Sequence, residues 1–254
     1  MGILDEILSH KVAEVERLKA STLPSGPGAR GISLARNAGE PLRLITEIKR
    51  RSPSAGALST KLSVAERARC YADAGASMLS ILTDSRFFDG SFEHLREARA
   101  ACDLPLLCKD FVIHERQLDA ALAFGADAVL LIVRCLSESA LPRLHAAAKS
   151  RGLAVLVEVT DEPESQRALD AGAEWVGVNV RDLDTLAMDS ARAARVLAML
   201  PKTVQRVHLS GLKDAASVLK VAQSGMDAAL IGEALMRLDD PSSLLASMRA
   251  AAAS

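Results

Sequence analysis

The chain lacks the features that mark a membrane protein, a secreted scaffold or a nucleic-acid binder. None of its apolar runs approaches the roughly 20 residues a membrane-spanning helix needs. The opening residues, MGILDEILSHKVAEVERLK, carry Asp5 and Glu6 among their apolar positions and so lack the basic end and unbroken core of a signal peptide. The four cysteines, Cys70, Cys102, Cys108 and Cys135, show no C-x-x-C spacing and are too few to staple 254 residues, which fits reduced thiols in a cytoplasm. With 31 Lys and Arg against 32 Asp and Glu the net charge is -1, and no block of one sign offers a track for nucleic acid or a basic face for a membrane. Any cationic site is therefore local. No close set of His, Cys and carboxylates has metal-ligand spacing, and the glycine fingerprint of a nicotinamide or flavin fold is missing, so no metal or cofactor is expected.

What is present is an ordinary globular composition, 49% hydrophobic and 25% charged, able to bury a substantial core. Ile7, Leu8, Val12, Val15 and Leu18 recur at helical spacing and predict an amphipathic helix that docks on the main body; a helix lying on a membrane surface would look similar. STLPSGPGARG follows as a loop or linker. From residue 42 onward, short β-rich runs alternate with helical patterns. The runs are LRLITEIK (42–49), MLSILTD (78–84), PLLCKDF (105–111), AVLLIV (128–133), AVLVEV (154–159), WVGVNV (175–180), QRVHLS (205–210) and AALIG (228–232). Strand followed by helix, repeated, means parallel strands with right-handed crossovers.

A faint internal repeat supports the count. Gly75, Gly125, Gly172 and Gly225 stand just before the second, fourth, sixth and eighth runs, so each interval holds two strand-helix units. Eight units suit a closed (β/α)8 barrel of the TIM type better than an open doubly wound sheet, which remains the alternative. The expected organisation is one barrel domain over residues 1–254, with 1–41 an N-terminal helical extension packing on it.

In such a barrel the catalytic face is the carboxyl end of the strands, so polar residues closing the apolar runs are the candidates. Glu47 and Lys49 close the first run, Lys109 and Asp110 the third, Glu158 the fifth, Asn179 and Arg181 the sixth, Ser210 and Gly211 the seventh, Gly232 and Glu233 the eighth. Alternation along a strand puts Glu47 and Lys49 on one face, where they converge on the barrel mouth if that face is the interior. Taken alone, the pair could be an internal salt bridge that neutralises itself. Charges ending three odd strands argue for use, since burying them idle costs several kcal/mol. The loops after the seventh and eighth strands, with Gly211 and Gly232, suit a phosphate held by backbone N–H groups, although either could be a plain turn glycine.

EIKRRSPSAG, LTDSRFFDGSFEHL, LLCKDFVI, GADAVLLI, LVEV, GVNVRDL and IGEALMR, taken in order, resemble the signature segments of the indole-3-glycerol phosphate synthase family. The resemblance runs from the N-terminal helix to the last barrel unit. It implies a (β/α)8 barrel whose N-terminal helical segment helps to cover the active site. The implied reaction converts 1-(2-carboxyphenylamino)-1-deoxyribulose 5-phosphate into indole-3-glycerol phosphate with loss of carbon dioxide and water. It also implies a monomer; a cytoplasmic protein with no cofactor and no nucleic-acid or membrane partner is expected from the composition and spacing above. By the same resemblance Lys109 is the general acid and Glu158 the base, Glu47 and Lys49 are the first-strand pair, and Asn179 belongs to the catalytic set. Lys49 and Ser52, with Gly211, Gly232 and Glu233, match the phosphate end. Ser210, Arg181 and the Ser52 loop match substrate-holding positions, and Phe88 and Phe111 flank the aromatic ring unless they are core packing.

Two departures qualify the resemblance. Leu209 stands where the family usually has Glu, near the anilino part of the substrate, which implies weaker orientation with acid and base retained. Val180 replaces a residue that is often polar and is expected to face away from the mouth. His114 and His208 have no partner in the sequence that marks them as catalysts, and a packed or surface role is expected. Two other functions stay open: a related phosphosugar isomerase, which would need a Cys and Asp pair where Glu47 and Lys49 stand, and a barrel that binds a phosphorylated ligand without turnover.

Overall fold

The computed structural model describes residues 2–53, 56–181 and 187–254. Among these residues eight parallel strands close into a barrel: β1 (Arg43–Ile48), β2 (Met78–Leu82), β3 (Leu106–Lys109), β4 (Ala128–Ile132), β5 (Ala154–Val159), β6 (Trp175–Asn179), β7 (Gln205–Leu209) and β8 (Ala228–Ile231). Arg43 to Thr46 of β1 pair in register with Ala228 to Ile231 of β8, which closes the ring and rules out the open sheet. Gly75, Gly125, Gly172 and Gly225 each follow a helix with φ between 80° and 96°, the left-handed conformation that ends a helix and that glycine adopts without a Cβ penalty.

Side-chain alternation sorts the strands into two cores. Leu44, Leu79, Leu106, Val129, Val157 and Val178 point outward into the layer beneath the helices. Ile45, Met78, Leu107, Leu130, Leu156, Trp175, Val207 and Leu230 fill the barrel interior. The next inward positions toward the carboxyl end are Glu47, Lys109, Glu158 and Asn179, two residues beyond Ile45, Leu107 and Leu156 and four beyond Trp175. A period of two thus carries an apolar floor directly into a polar mouth.

Two strands stop two residues short of the runs that announce them, the others at most one. Thr83 and Asp84 lie beyond β2, and Asp110 and Phe111 beyond β3. Their polar groups serve the loops instead: an Asp84 Oδ1 at 2.7 Å accepts from the N–H of Phe87 and caps the short helix Ser85–Phe88, while Asp110 Oδ1 accepts from the N–H of Phe111 at 2.7 Å.

The N-terminal helix Ile3–Ala20 lies across the mouth, but its buried stripe is Leu4, Ile7, Lys11 and Val15. Val12, expected on that stripe, is 56% exposed. The stripe steps by three, four and four residues, and Val12 falls one residue off it. Among the described residues no helix is long and apolar enough to cross a membrane.

After the helix the chain descends the outside of the barrel. Arg116 donates to the carbonyls of Leu18 and Ser21, and Gly26 passes so close to the backbone of Leu122 and Ala123 that a Cβ would fall 2.5 Å from a carbonyl oxygen. At the bottom Arg30 bonds Asp127 through Nε and Nη2, and the backbone N–H groups of Arg30 and Leu106 donate to the same carboxylate at 3.0 and 2.9 Å. Arg99 adds a third cationic arm. Burial alone would push the Asp127 carboxyl up, but the Arg30 and backbone donors hold it below the usual range. Replacing Asp127 with Ala takes the acceptor from Arg30 Nε and from the backbone N–H groups of Arg30 and Leu106 and is expected to lower stability by about 3 kcal/mol, read from urea unfolding. Its contribution is complete above the ordinary carboxyl value of about 3.9 and is lost as the pH falls through the depressed native one, so the parent–variant difference should shrink only in strong acid.

Candidate active site

A cavity of about 450 Å³ opens at the carboxyl end of the strands. Of the residues singled out by the strand ends and the resemblance, Glu47, Lys49, Ser52, Phe88, Lys109, Phe111, Glu158, Asn179, Arg181, Ser210, Gly211, Gly232 and Glu233 line it, whereas Asp110 does not and pairs instead with Lys11 and Thr83. These come from segments spread along most of the chain, and the barrel alone brings them together.

The charged centre is built around Glu47. Its Oε1 lies 2.5 Å from Lys49 Nζ and its Oε2 3.6 Å from Lys109 Nζ, with the carboxylate only 2% exposed. Burial would raise the Glu47 pKa, but the two lysines outweigh it and hold the group below the usual range. Lys109 shows the reverse balance: burial disfavours its charge, and Glu47 and Glu158 more than compensate, so its pKa is raised. The ammonium is thereby kept protonated in a cavity that would otherwise strip it. Thus the Glu47–Lys49 pair is not self-contained, because Lys109 shares the same carboxylate.

Glu158 stands apart from that cluster and is differently tuned. Burial raises its pKa, and the opposing pull of Lys109 and of the hydrogen bond from Asn179 does not reverse the shift. Asn179 Nδ2 donates to Glu158 Oε1 at 2.8 Å, while Asn179 Oδ1 accepts from Ser210 Oγ at 2.8 Å and from the Arg181 N–H at 3.0 Å. The amide is therefore fixed in one orientation, with its NH2 on the carboxylate. Two carboxylates of one mouth, one held ionised and one drawn toward neutrality, is the arrangement that separates a charge stabiliser from an acid/base group.

The far end is shaped by backbone. Ser210 and Gly211 take φ values of 68° and 84°, a left-handed pair that turns the chain sharply after β7. Ser210 is strained there as a residue with a Cβ, and its Oγ bond to Asn179 and the contact of its carbonyl with His208 Nε2 at 3.0 Å hold it. A Cβ on Gly232 would fall on Glu47 Oε1, so β8 can approach the charged centre only with glycine at that position. Among the described residues, basic side chains in the lining number five, Lys49, Lys109, Arg181, Lys213 and Arg237, against the three carboxylates Glu47, Glu158 and Glu233. A cavity with that excess suits an anion even though the whole chain has a net charge of -1.

The apolar wall consists of Phe88 and Phe111, with ring centroids 6.1 Å apart and tilted by 36°, together with Ile3, Leu4 and Ile7 of the N-terminal helix. Leu209 completes it from below. Leu209 stands level with Asn179 and with Leu230, and its Cδ1 occupies the space over Gly177, where a Cβ would come within 2.6 Å.

Several lining residues carry no strand-end signal in the sequence. Ile3 and Leu4 precede the stripe predicted for the helix, and Leu230 reads as plain core. Met188, Lys213 and Arg237 belong to loop or helix-end segments whose path the sequence does not reveal. Val180 packs in the outer core, away from the mouth. His114 caps the helix Glu115–Ala123 through Nδ1, which accepts from the Arg116 N–H at 3.0 Å, and His208 is occupied with the Ser210 carbonyl.

The fold has many neighbours of low identity. Thiamine phosphate pyrophosphorylase from Pyrococcus furiosus superposes with a TM-score of 0.65 at 19% identity, covering 85% of this chain and 98% of that one, which speaks for the barrel alone. Sequence relatives are much nearer. The indole-3-glycerol phosphate synthase of Mycobacterium avium is 40% identical over 255 residues, covering 97% of this chain and 93% of the relative. That of an Exiguobacterium species is 40% identical over 249 residues, covering 98% and 97%. The family model "Indole-3-glycerol phosphate synthase" matches residues 4–248, from the helix over the mouth to the last helix of the barrel, and the chain belongs to that family.

Proposed function

We propose that the cavity at the barrel mouth carries the family's ring closure with Lys109 as general acid and Glu158 as general base. As an indole-3-glycerol phosphate synthase the chain is a carboxy-lyase of tryptophan biosynthesis that acts on a phosphorylated small molecule. The ring carbon bearing the carboxylate attacks the sugar C2 carbonyl, whose oxygen takes a proton from Lys109. Breaking the bond to the carboxylate then releases carbon dioxide and returns its electron pair to the ring. The new hydroxyl leaves as water with a second proton, from Lys49, and the adjacent carbon of the new ring gives its proton to Glu158, which completes the indole. Ring carbon is a poor nucleophile, so polarising the carbonyl with a cation at hand is the main demand.

The observation that carries this reading is the opposed tuning of the two groups around one ammonium. Lys109 is kept charged by Glu47 at 3.6 Å, and Glu158, bonded by Asn179 at 2.8 Å, is drawn up toward the range where a carboxylate can take and return a proton. Glu47 orients and recharges the acid, and Lys49 contacts the phosphate or assists dehydration. Arg181 suits the substrate carboxylate, since a guanidinium fork binds it in two places. Phe88 and Phe111 flank the aromatic ring. Ser52, Gly211, Gly232 and Glu233 supply the phosphate end, mainly through backbone N–H groups, and Ser210 holds a substrate hydroxyl. The helix and barrel act as one unit, as a monomer in the cytoplasm.

Leu209 leaves the anilino side without the carboxylate usual at that place. Leu209→Glu is expected to raise kcat/KM roughly tenfold, mainly through KM, in line with one added charge-assisted hydrogen bond. The same carboxylate makes ionisation of Glu158 harder and should move the acidic limb of the pH profile upward. An unchanged kcat/KM would remove Leu209 from the account. The activity itself is tested by mixing purified protein with the carboxyphenylamino-deoxyribulose phosphate and following indole fluorescence. Turnover is expected, whereas saturable binding with no product would make this a ligand-binding barrel instead.

A further inference from the structure

Lys11 is a lysine with no exposed surface, and it belongs to a helix that the reaction chemistry does not otherwise use beyond its apolar face. Its Nζ lies 3.0 Å from Glu14 Oε1, 3.0 Å from Asp84 Oδ2 and 2.6 Å from Asp110 Oδ1. Each aspartate also holds a loop of the mouth, Asp84 through its other oxygen and Asp110 through the same oxygen that faces Lys11. Asp84 Oδ1 caps the short helix that carries Phe88, and Asp110 Oδ1 accepts from the N–H of Phe111. Asp110 Oδ2 also accepts from Thr83 Oγ1 at 2.7 Å, which ties the ends of β2 and β3 to each other. Asp110 follows Lys109 directly in the chain.

One ammonium therefore joins three parts: the helix over the mouth, the loop holding one aromatic wall, and the strand end holding the other wall together with the acid. We propose that Lys11 is a positioning residue for Lys109 and for the Phe88–Phe111 wall, so that the catalytic geometry is completed only when the N-terminal helix is seated. Without Lys11 the buried carboxylates of Asp84 and Asp110 face each other with no cation between them, and each must turn away or take up a proton. Either response releases the loop that the carboxylate holds. Burial lowers the Lys11 pKa, but Asp110 and then Asp84 reverse this, so the group stays charged. A lysine is an odd choice for a buried stripe between Ile7 and Val15 if the helix only needed to stick. A leucine would serve docking alone.

This inference rests on the reading of Lys109 as the acid, and the test separates the two. Four variants of the full chain are compared by steady-state turnover of the carboxyphenylamino-deoxyribulose phosphate, well below their melting temperatures: Lys11→Met, Lys11→Arg, Val15→Ala and Lys109→Met. Val15→Ala loosens the same helix one turn away without touching the carboxylates. The expected results are a kcat lower by roughly ten- to a hundredfold in Lys11→Met, a smaller fall in Lys11→Arg, and a kcat near the parent value in Val15→Ala. KM should change less than kcat, because the acid is displaced while the phosphate end is untouched. If Lys11→Met does not fold, Lys11→Arg decides, since it keeps the charge and alters only the reach. Parent-like kcat in a folded Lys11→Met or, failing that, in Lys11→Arg, or an equal fall in Val15→Ala, would overturn the proposal while leaving the acid intact. Normal turnover by Lys109→Met would instead overturn the reading it rests on.

Discussion

A Lys109→Met variant should lose about a thousandfold in kcat while still binding the substrate, because the carbonyl oxygen is left with neither a proton donor nor a charge beside it. Methionine keeps the length and apolar stem of the side chain, so the interior layer above Leu107 stays filled and the loss reports the ammonium. Removing it also strips Glu47 of one of two cations, leaving Lys49 at 2.5 Å as its remaining partner. Glu47 should stay ionised, and the fold should survive for that reason. Stopped-flow binding by quenching of the substrate's anthranilate fluorescence separates the two effects. A loss confined to binding would mean that Lys109 anchors the substrate and that Lys49 supplies the proton.

The second large effect is expected from Glu158→Gln, at roughly a hundred- to a thousandfold in kcat. Glutamine preserves the shape and can still accept from Asn179 Nδ2, whose other contacts to Ser210 and Arg181 are unaffected. What it cannot do is take a proton. The pH dependence follows from the same two groups. Activity needs Glu158 ionised and Lys109 protonated; the Glu158 pKa is raised by burial and the Lys109 pKa by Glu47 and Glu158. Turnover should therefore fall on the acidic side at a pH above the ordinary carboxyl range and on the alkaline side above the ordinary lysine value, leaving a plateau through neutrality. In Glu158→Gln the acidic limb should vanish from what activity remains.

Most of this site was legible because the barrel converts one-dimensional position into place. A polar residue at the end of an apolar run lies at the carboxyl end of a strand, and alternation decides that Glu47, Lys109, Glu158 and Asn179 face inward two or four residues above buried apolar positions. The strand ends required no knowledge of the loops. What stayed hidden depends on loops and on docking. Met188 and Arg237 reach the cavity from connections whose course local sequence does not fix. Lys11 was hidden for a different reason. Hydrophobic periodicity counts apolar residues, so it drew the stripe through Val12, which is exposed, and passed over the lysine beside it, which is buried. A charge buried on a helix shows in the sequence only when its partners are known, and Asp84 and Asp110 lie far along the chain. The resemblance makes Leu209 a lost carboxylate, and its place over Gly177 shows how the space is filled instead.

The central claim is that two groups act at two different moments, Lys109 before carbon dioxide leaves and Glu158 after. Single-turnover reactions that follow carbon dioxide release and indole fluorescence in the same mixture test it most directly. In the parent the two signals should rise nearly together. In Lys109→Met both should be slowed alike, and in Glu158→Gln carbon dioxide should appear well ahead of indole as the uncompleted ring accumulates. Prompt carbon dioxide from Lys109→Met, or carbon dioxide and indole delayed equally in Glu158→Gln, would contradict the division of labour.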